Sequence, residues 1–155
     1  MGVRPASDLE TLFLEEGPRI WRALFVYTAD RDVASDAVAE AFAQALARGS
    51  ELRTPDRWVW KVAFRVAAGE MKDRRRRESA STAVAAYEMP EPQHDLVVAL
   101  ASLTANQRAA LVLRHYAGYP TREVAAILGC SAATVRVHLS QGRRRLRRLL
   151  EDRGE

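Results

Sequence analysis

Residues 121–144, TREVAAILGCSAATVRVHLSQGRR, constrain the fold of this 155-residue chain more than any other segment. Ala125 is a small residue at which two helices can cross, and Gly129 supplies a turn between them because glycine adopts backbone conformations that other residues avoid. Ser131 follows the turn, where its hydroxyl can cap the second helix. The segment therefore predicts two short amphipathic helices whose apolar positions have helical spacing: Val124, Ile127, Leu128, Val135 and Leu139.

The second helix of this pair presents polar and basic side chains opposite its apolar face. Its outward positions form one stripe: Arg136, Val137, Ser140, Gln141 and Arg144. Arginine and glutamine pair with base edges in the major groove, which admits an α-helix. Two helices around a glycine turn also occur in proteins that never touch DNA. The agreement of small, turn and apolar positions, followed at once by an arginine run, favours a DNA-reading helix-turn-helix.

Composition narrows the class of protein further. The net charge of +4 favours an anionic partner. A single cysteine, Cys130, excludes an internal disulfide, and the three histidines lack ligand spacing with it, so we expect no metal and no cofactor. No run approaches the roughly 20 apolar residues that span a membrane. No catalytic motif is present, so we expect a cytoplasmic protein that is not an enzyme and has no small-molecule substrate.

Helical periodicity runs through almost the whole chain, without sustained alternation of apolar and polar residues. The sequence therefore predicts an all-α fold of two small helical domains joined by a flexible linker. Residues 78–94 have the small, polar and Pro-containing composition of a linker, which separates a domain at 1–77 from a helix-turn-helix domain at 95–155.

The first domain has three predicted helical segments. The first carries Phe13 on its apolar side and is interrupted at Gly17-Pro18. The second runs from about Val33 to Ala47 with Leu46 directed inward, and its other face is acidic. The third begins near Asp56 and ends in the basic cluster of residues 74–77.

Aromatic and basic residues alternate in the third segment, an arrangement suited to single-stranded DNA because bases stack on aromatic rings. Trp58, Trp60 and Phe64 lie beside Lys61 and Arg65. Helical spacing prevents the three rings from pointing in one direction, so at least one is a core residue. We expect this to be Trp58.

The two predicted domains together resemble a bacterial RNA polymerase sigma factor of the short extracytoplasmic-function (ECF) group of the sigma-70 family. Residues 103–119, LTANQRAALVLRHYAGY, are similar to the family's Leu-Pro-x-x-Gln-Arg opening. Residues 125–150 are similar to its Gly-Cys-Ser, Thr-Val and basic-tail pattern. Residues 8–77 look like the second conserved sigma region, and residues 96–150 look like the fourth.

The match in the first domain is partial. The family's Asp-x-x-Gln-Glu-x-Phe signature appears as Asp36, Glu40 and Phe42, with Ala39 in place of the glutamine. In the third helix, Arg65 and Gly69 occupy places where the family commonly has Asn and Asp.

The resemblance implies three sets of functional residues and three partners: core RNA polymerase, promoter DNA and an anti-sigma protein. The minus-thirty-five element would be read by Ser131, Thr134, Arg136, Val137, Ser140, Gln141, Arg143, Arg144, Arg147 and Arg148. The minus-ten element would be bound and melted by Arg53, Trp60, Lys61, Phe64, Arg65, Lys72, Arg74 and Arg75, with the flipped base captured by the loop of residues 51–54. Core polymerase would dock on Asp36, Glu40 and Phe42.

Two other functions fit the sequence. A transcriptional regulator would bind operators as a dimer and use residues 1–77 for assembly or ligand sensing. A sigma-like adaptor would bind a partner protein and lack promoter activity, which the departures at Ala39, Arg65 and Gly69 support.

Overall fold

The computed structural model describes residues 6–77 and 91–153. They form two compact units, divided between Ser79 and Ala80. The described residues are helices and short connections without a β-strand, which confirms the predicted all-α class. Most of the predicted linker, residues 78–90, lies outside the described residues. Residues 91–94 belong to a helix, so the linker prediction is wrong for those four positions.

The first unit is a bundle of three helices in which each helix packs on the other two. These helices are α1 (Ala6–Thr28), α2 (Arg31–Arg48) and α3 (Pro55–Arg77), and a 3₁₀ turn at Gly49–Glu51 connects the last two. Their facing side chains include Ile20, Leu24, Val33 and Val59, which are almost completely buried. Burial of these side chains is the main source of the bundle's stability.

The first helix continues through Gly17-Pro18, so the predicted interruption is wrong. Proline removes one backbone donor and leaves the carbonyl four residues earlier without its helical partner. Here Leu14 and Pro18 are both exposed, so water can reach that carbonyl. Ile20 and Leu24, two and six residues after the proline, are fully buried, and their packing holds the helix together across the proline.

Two aromatic residues predicted to meet DNA lie in the core of the first unit. Trp60 is 1% exposed and Phe64 is 2% exposed, and their rings stack with centroids 6.1 Å apart. Phe64 also stacks on Tyr27 at 5.2 Å. The indole N–H of Trp60 donates to Glu16 at 3.0 Å, which supplies the hydrogen bond that a buried tryptophan requires. The prediction that Trp60 and Phe64 stack on bases is therefore wrong, because bases cannot reach them.

Trp58 is the half-exposed aromatic residue of this helix, so its assignment to the core is also wrong. It lies two residues from Trp60, a separation that rotates the side chain by about 200° around a helix. One of the two tryptophans must therefore face outward. The side that packs against α1 and α2 is the side that carries Val59, Trp60 and Ala63.

Asp30 connects all three helices of the first unit. Its Oδ1 caps α2 by accepting the backbone N–H groups of Asp32 at 2.9 Å and Val33 at 3.0 Å. Its Oδ2 accepts a hydrogen bond from the guanidinium of Arg74 on α3, which forms an ion pair with it. Arg74, predicted to bind DNA, is thus engaged within the protein.

The second unit is built around its last helix. It contains α4 (Glu91–Ala101), α5 (Ala105–Leu111), α6 (Thr121–Leu128) and α7 (Ala132–Arg153), with a π-helical turn at Val112–Tyr116 after α5. The long α7 packs on α4, α5 and α6. Val135 and Leu139, predicted to be apolar contacts of this helix, are buried.

The Gln-Arg pair at the start of α5 has a structural role that the sequence pattern alone did not reveal. Thr104 accepts the backbone N–H of Gln107 at 3.2 Å, and the Gln107 side chain accepts the backbone N–H of Thr104 at 3.2 Å, which forms a capping box. Arg108 is buried, and its guanidinium donates to the carbonyl oxygens of Leu103 at 2.9 Å and Leu100 at 3.5 Å. These two residues therefore fix the corner between α4 and α5.

Candidate nucleic-acid interface

The turn between α6 and α7 has the geometry that residues 121–144 predict. Gly129 has φ 73° and ψ 35°, the left-handed conformation that glycine adopts without strain, and its N–H donates to Ala125 at 2.8 Å. The Ser131 hydroxyl accepts the backbone N–H of Thr134 at 3.1 Å. This bond confirms Ser131 as the N-cap of α7. The two helices of the predicted helix-turn-helix are thus present and correctly joined.

The predicted outward stripe of α7 is exposed along its length. Its exposed members are Arg136, Val137, Ser140, Gln141 and Arg144, together with Ser131, Thr134, Arg143, Arg147 and Arg148. The side-chain oxygen Oε1 of Gln141 accepts a hydrogen bond from the side-chain amide of Gln107 at 3.3 Å, which orients one side chain of the stripe from α5. We define these ten residues as the α7 stripe. The structure places them in one accessible strip, and their contacts with DNA stay a prediction.

The helix that carries the stripe lies unusually close to α5. A Cβ atom built on the buried Gly142 would stand 3.0 Å from a terminal methyl carbon of Leu111 and 3.4 Å from Cβ of Gln107. A larger side chain at residue 142 would therefore require the Leu111 side chain to shift. The glycine fixes the distance between α7 and the corner that Gln107 and Arg108 hold.

His115 reports on the positive charge at the edge of this unit. The pKa of its imidazole is lowered from the ordinary value, first by desolvation and then by the charges of Arg143 and Arg114. Arg143 is a member of the α7 stripe, so the histidine and the stripe are electrostatically linked. Negative charge arriving at Arg143 would offset part of this repulsion.

A second basic strip lies on α3. Trp58 and Lys61 are half-buried, whereas Arg65 and Lys72 are exposed. Their spacing of three, seven and fourteen residues from Trp58 places all four on one side of a helix. We define these four residues as the α3 stripe. The aromatic member of the strip is therefore Trp58, in place of Trp60 and Phe64. The side chain of Arg75, also predicted to bind DNA, lies outside the described residues.

Arg48 is a member of this surface that sequence reasoning missed. Its guanidinium carbon lies 5.4 Å from the centroid of the Trp58 ring, a cation–π arrangement. The loop before α3 adds exposed Arg53 and Thr54, while Leu52 is buried and anchors the loop. The Thr54 carbonyl accepts the backbone N–H of Trp58 at 3.0 Å, so the loop and the tryptophan are directly joined.

The outward face of α2 combines acidic and apolar side chains. Asp36, Ala39 and Glu40 are exposed, and Phe42 is half-buried. Leu46 was predicted to point inward but is 60% exposed, because its position on the helix lies outside the arc that carries Val38, Ala41 and Ala45.

Two residues of α1 extend this face. Phe13 was predicted to lie on the apolar side of its helix, yet it is 46% exposed, and its ring meets the ring of Phe42 edge-on at 5.1 Å. Leu14 is also largely exposed. We define this α2 face as Asp36, Ala39, Glu40, Phe42 and Leu46 with Phe13 and Leu14. Exposed apolar side chains beside acidic ones are typical of a protein-binding surface.

Electrostatics mark one border of the α2 face. The pKa of Glu70 on α3 is raised from its ordinary value, first by desolvation and then by the negative charges of Asp36 and Asp73. Asp36 and Glu70 therefore belong to one acidic edge between α2 and α3.

Among the described residues, no cluster of three or more His, Cys, Asp or Glu side chains has the proximity to hold a metal ion. The described helices include none with the length and hydropathy to cross a membrane.

Comparisons with known proteins show similarity to sigma factors, both in the second unit and over almost the whole chain. Residues 93–146 match the family model for sigma-70, region 4. The ECF RNA polymerase sigma factor SigL of Mycobacterium tuberculosis is 26% identical over 163 aligned positions, which cover 96% of this chain and 92% of that protein.

Two solved structures have a fold similar to that of this chain. The sigma factor RpoE in complex with the anti-sigma factor NepR, from Bartonella quintana, has a TM-score of 0.77 and 25% identity, and the match covers 93% of this chain and 97% of that one. The fold also matches CnrH, solved in complex with the cytosolic domain of CnrY, with a TM-score of 0.67 and 24% identity over 93% of this chain and 88% of that one.

The fold and the α7 stripe define a two-unit helical protein with a helix-turn-helix in its second unit. The second unit matches sigma-70, region 4, and the chain along almost its whole length is similar to the ECF sigma factor SigL and to the sigma factor RpoE. Neither the dimeric regulator nor the adaptor is favoured by these comparisons.

Proposed function

We propose that this chain binds core RNA polymerase, directs it to a specific class of promoters and assists promoter melting and transcription initiation. The observation that carries this proposal is the exposed α7 stripe, presented by a helix-turn-helix in a chain that resembles ECF sigma factors along almost its whole length. The role requires binding and DNA distortion and no covalent chemistry by the chain itself. A protein that acts with polymerase on promoter DNA works in the cytoplasm.

The α7 stripe is proposed to read the minus-thirty-five element. Its amino-terminal half carries Arg136, Ser140 and Gln141, and the first turns of a recognition helix are the part that reaches base edges. Arg147 and Arg148 lie about three turns further along and are suited to the phosphate backbone. Contacts of the first kind select a sequence, whereas contacts of the second kind add affinity that salt weakens.

The α3 stripe is proposed to hold the melted strand of the minus-ten element. Its three cations track phosphates, and Trp58 supplies a ring for an unstacked base. Arg48 beside the ring and Arg53 in the adjoining loop add positive charge at the same place. An unstacked base costs a few kcal/mol, which stacking on one aromatic ring offsets in large part.

The α2 face is proposed to dock on core polymerase. The exposed apolar side chains of Phe13, Leu14 and Leu46 would supply contact area, and Asp36 and Glu40 would orient the encounter. Ala39 in place of the usual glutamine leaves a small apolar patch at this position. This surface is also available to an anti-sigma protein, a partner class with which the related RpoE was solved.

Measurement of affinity for purified core polymerase, in the absence of DNA, tests the docking surface. Leu46→Glu places a charge in the apolar part of the α2 face and is expected to weaken binding at least tenfold, because a buried unpaired charge is costly at an interface. Ala68→Glu is the matched control, since residue 68 is exposed on α3 outside the α2 face. Equal affinity of Leu46→Glu and the wild-type chain would exclude this face as the docking site.

A further inference from the structure

Val137 is an exposed apolar residue in the middle of the α7 stripe. Its side chain is 51% exposed. Among the described residues of α7, the other exposed large apolar side chain is Leu150, which is 41% exposed. Leu150 lies thirteen residues away, a distance of about 20 Å along a helix. Val137 is therefore isolated from the other large exposed apolar side chain of its helix, and its neighbours are the small Ala133 and the polar and basic members of the stripe.

The neighbours of Val137 let its methyl groups project. One turn before it stand Ala133 and Thr134, and one turn after it stand Ser140 and Gln141, all of them exposed. Three of these four side chains are short, so the helix backbone can approach a groove closely at this point. A β-branched side chain on a helix is held in one dominant rotamer. Its two methyl groups are thus presented in a fixed direction.

The major groove contains one apolar group that distinguishes a base, the C5-methyl of thymine. Guanine, adenine and cytosine present hydrogen-bonding atoms there and no methyl. A fixed apolar side chain among polar readers has a matching partner in that methyl, because both lose contact with water when they meet.

From this placement we infer that Val137 reads a thymine in the minus-thirty-five element by contact with its C5-methyl group. The inference rests on the proposed function, since it assigns one base to the same stripe. Arg136, Gln141 and Arg144 select by hydrogen bonds, and Val137 selects by shape and apolar contact. The promoter class is therefore expected to prefer a thymine opposite the second turn of α7.

Deoxyuridine isolates this contact, because it differs from thymidine only by the missing methyl. Holoenzyme assembled from core polymerase and the full chain is first used to select promoter duplexes from a randomised library. Each thymine of the selected minus-thirty-five element is then replaced singly by deoxyuridine, and the affinity of the holoenzyme is measured. One replacement is expected to weaken binding about fourfold, the effect of one buried methyl-sized group.

Variants connect that loss to Val137. Val137→Ala is expected to abolish the deoxyuridine penalty at the one position and to keep the preferences at the other positions. Val137→Ile keeps the apolar contact and the penalty. Leu150→Ala, the matched control on the same helix, keeps the wild-type pattern. Because the side chains of Val137 and Leu150 are 51% and 41% exposed, these changes are expected to leave the packing of α7 intact.

The outcomes separate the inference from the function on which it rests. Failure to select any duplex would overturn the proposed function itself. Selection of a promoter in which no thymine is sensitive to deoxyuridine would overturn only the role of Val137. The same conclusion would follow if the penalty were unchanged in Val137→Ala.

Discussion

The role of a single residue in this protein depends on the side chains and backbone that it contacts. Two pairs of residues show which of these contacts can be predicted from the sequence. Trp58 and Trp60 carry the same side chain two positions apart, and periodicity requires that they face opposite directions without saying which one is buried. The partner helices decide this: Glu16 of α1 accepts the Trp60 indole N–H at 3.0 Å. By contrast, Ser131 and Gly129 were predictable, because caps and turns depend on neighbouring backbone alone.

Arg108 is expected to stabilise the second unit. Arg108→Met keeps much of the side-chain volume and removes the donors to Leu100 and Leu103, so unfolding of this unit is expected to become easier by about 2 kcal/mol. Thermal unfolding followed by circular dichroism measures the change. Arg145→Met, at an exposed position of α7, is the control. It is expected to change the free energy of unfolding by no more than about 0.5 kcal/mol. Equal stability of the two variants would show that the buried guanidinium contributes nothing.

His115 is expected to respond to Arg143. Arg143→Gln removes a repelling charge, so the pKa of His115 is expected to rise toward its ordinary value. Titration of the imidazole protons by NMR measures it. Because folding lowers the pKa of His115, protonation of this histidine favours the unfolded state. The stability of the second unit is therefore expected to be full above the ordinary histidine pKa and to decrease as the pH falls through the pKa of the folded protein. An unchanged pKa in Arg143→Gln would contradict the proximity of the two side chains.

At the scale of elements, the sequence predicted α7 and the helix-turn-helix well because each depends on a local pattern. It predicted the α2 face less well. Leu46 has the helical spacing of an inward residue, but three helices leave a wide exposed arc on α2, and bundle geometry decides where that arc ends. The continuity of α1 through Pro18 has the same origin, because tertiary packing outweighs a local helix breaker.

The close approach of α5 and α7 is tested by glycine substitution. Gly142→Leu is expected to destabilise the second unit by about 1–3 kcal/mol, because the new side chain must displace Leu111. Gly69→Leu, on α3 where a Cβ atom meets nothing within 4 Å, is the matched change and is expected to be neutral or stabilising through helix propensity. Chemical denaturation measures both. A stable Gly142→Leu protein would mean that the two helices are not closely packed.

The two ends of the α7 stripe are expected to respond differently to mutation. Arg144→Ala should change the base preference at one promoter position, whereas Arg148→Ala should weaken all sequences alike and lower the salt slope of binding by about one. Competition binding of the holoenzyme to a duplex library at several salt concentrations measures both effects. Sequence-independent losses of equal size in the two variants would remove the division of the stripe into base and phosphate contacts.

At the scale of the whole molecule, we expect the two units to bind different parts of the promoter. The first unit carries the α3 stripe and the α2 face, and the second carries the α7 stripe. All three tryptophans, Trp21, Trp58 and Trp60, lie in the first unit. Their fluorescence therefore reports on that unit alone, and Arg108→Met is expected to leave the tryptophan transition unchanged while it shifts the transition of the second unit.

Transcription from a promoter library by purified core polymerase, with and without this chain, tests the central claim most directly. The expected result is transcripts with defined start sites that appear only when the chain is present and that share an upstream element. Trp58→Ala is expected to reduce open-complex formation while leaving affinity for core polymerase intact. Absence of binding to core polymerase, or binding that never yields initiation at any promoter, would contradict the proposed function.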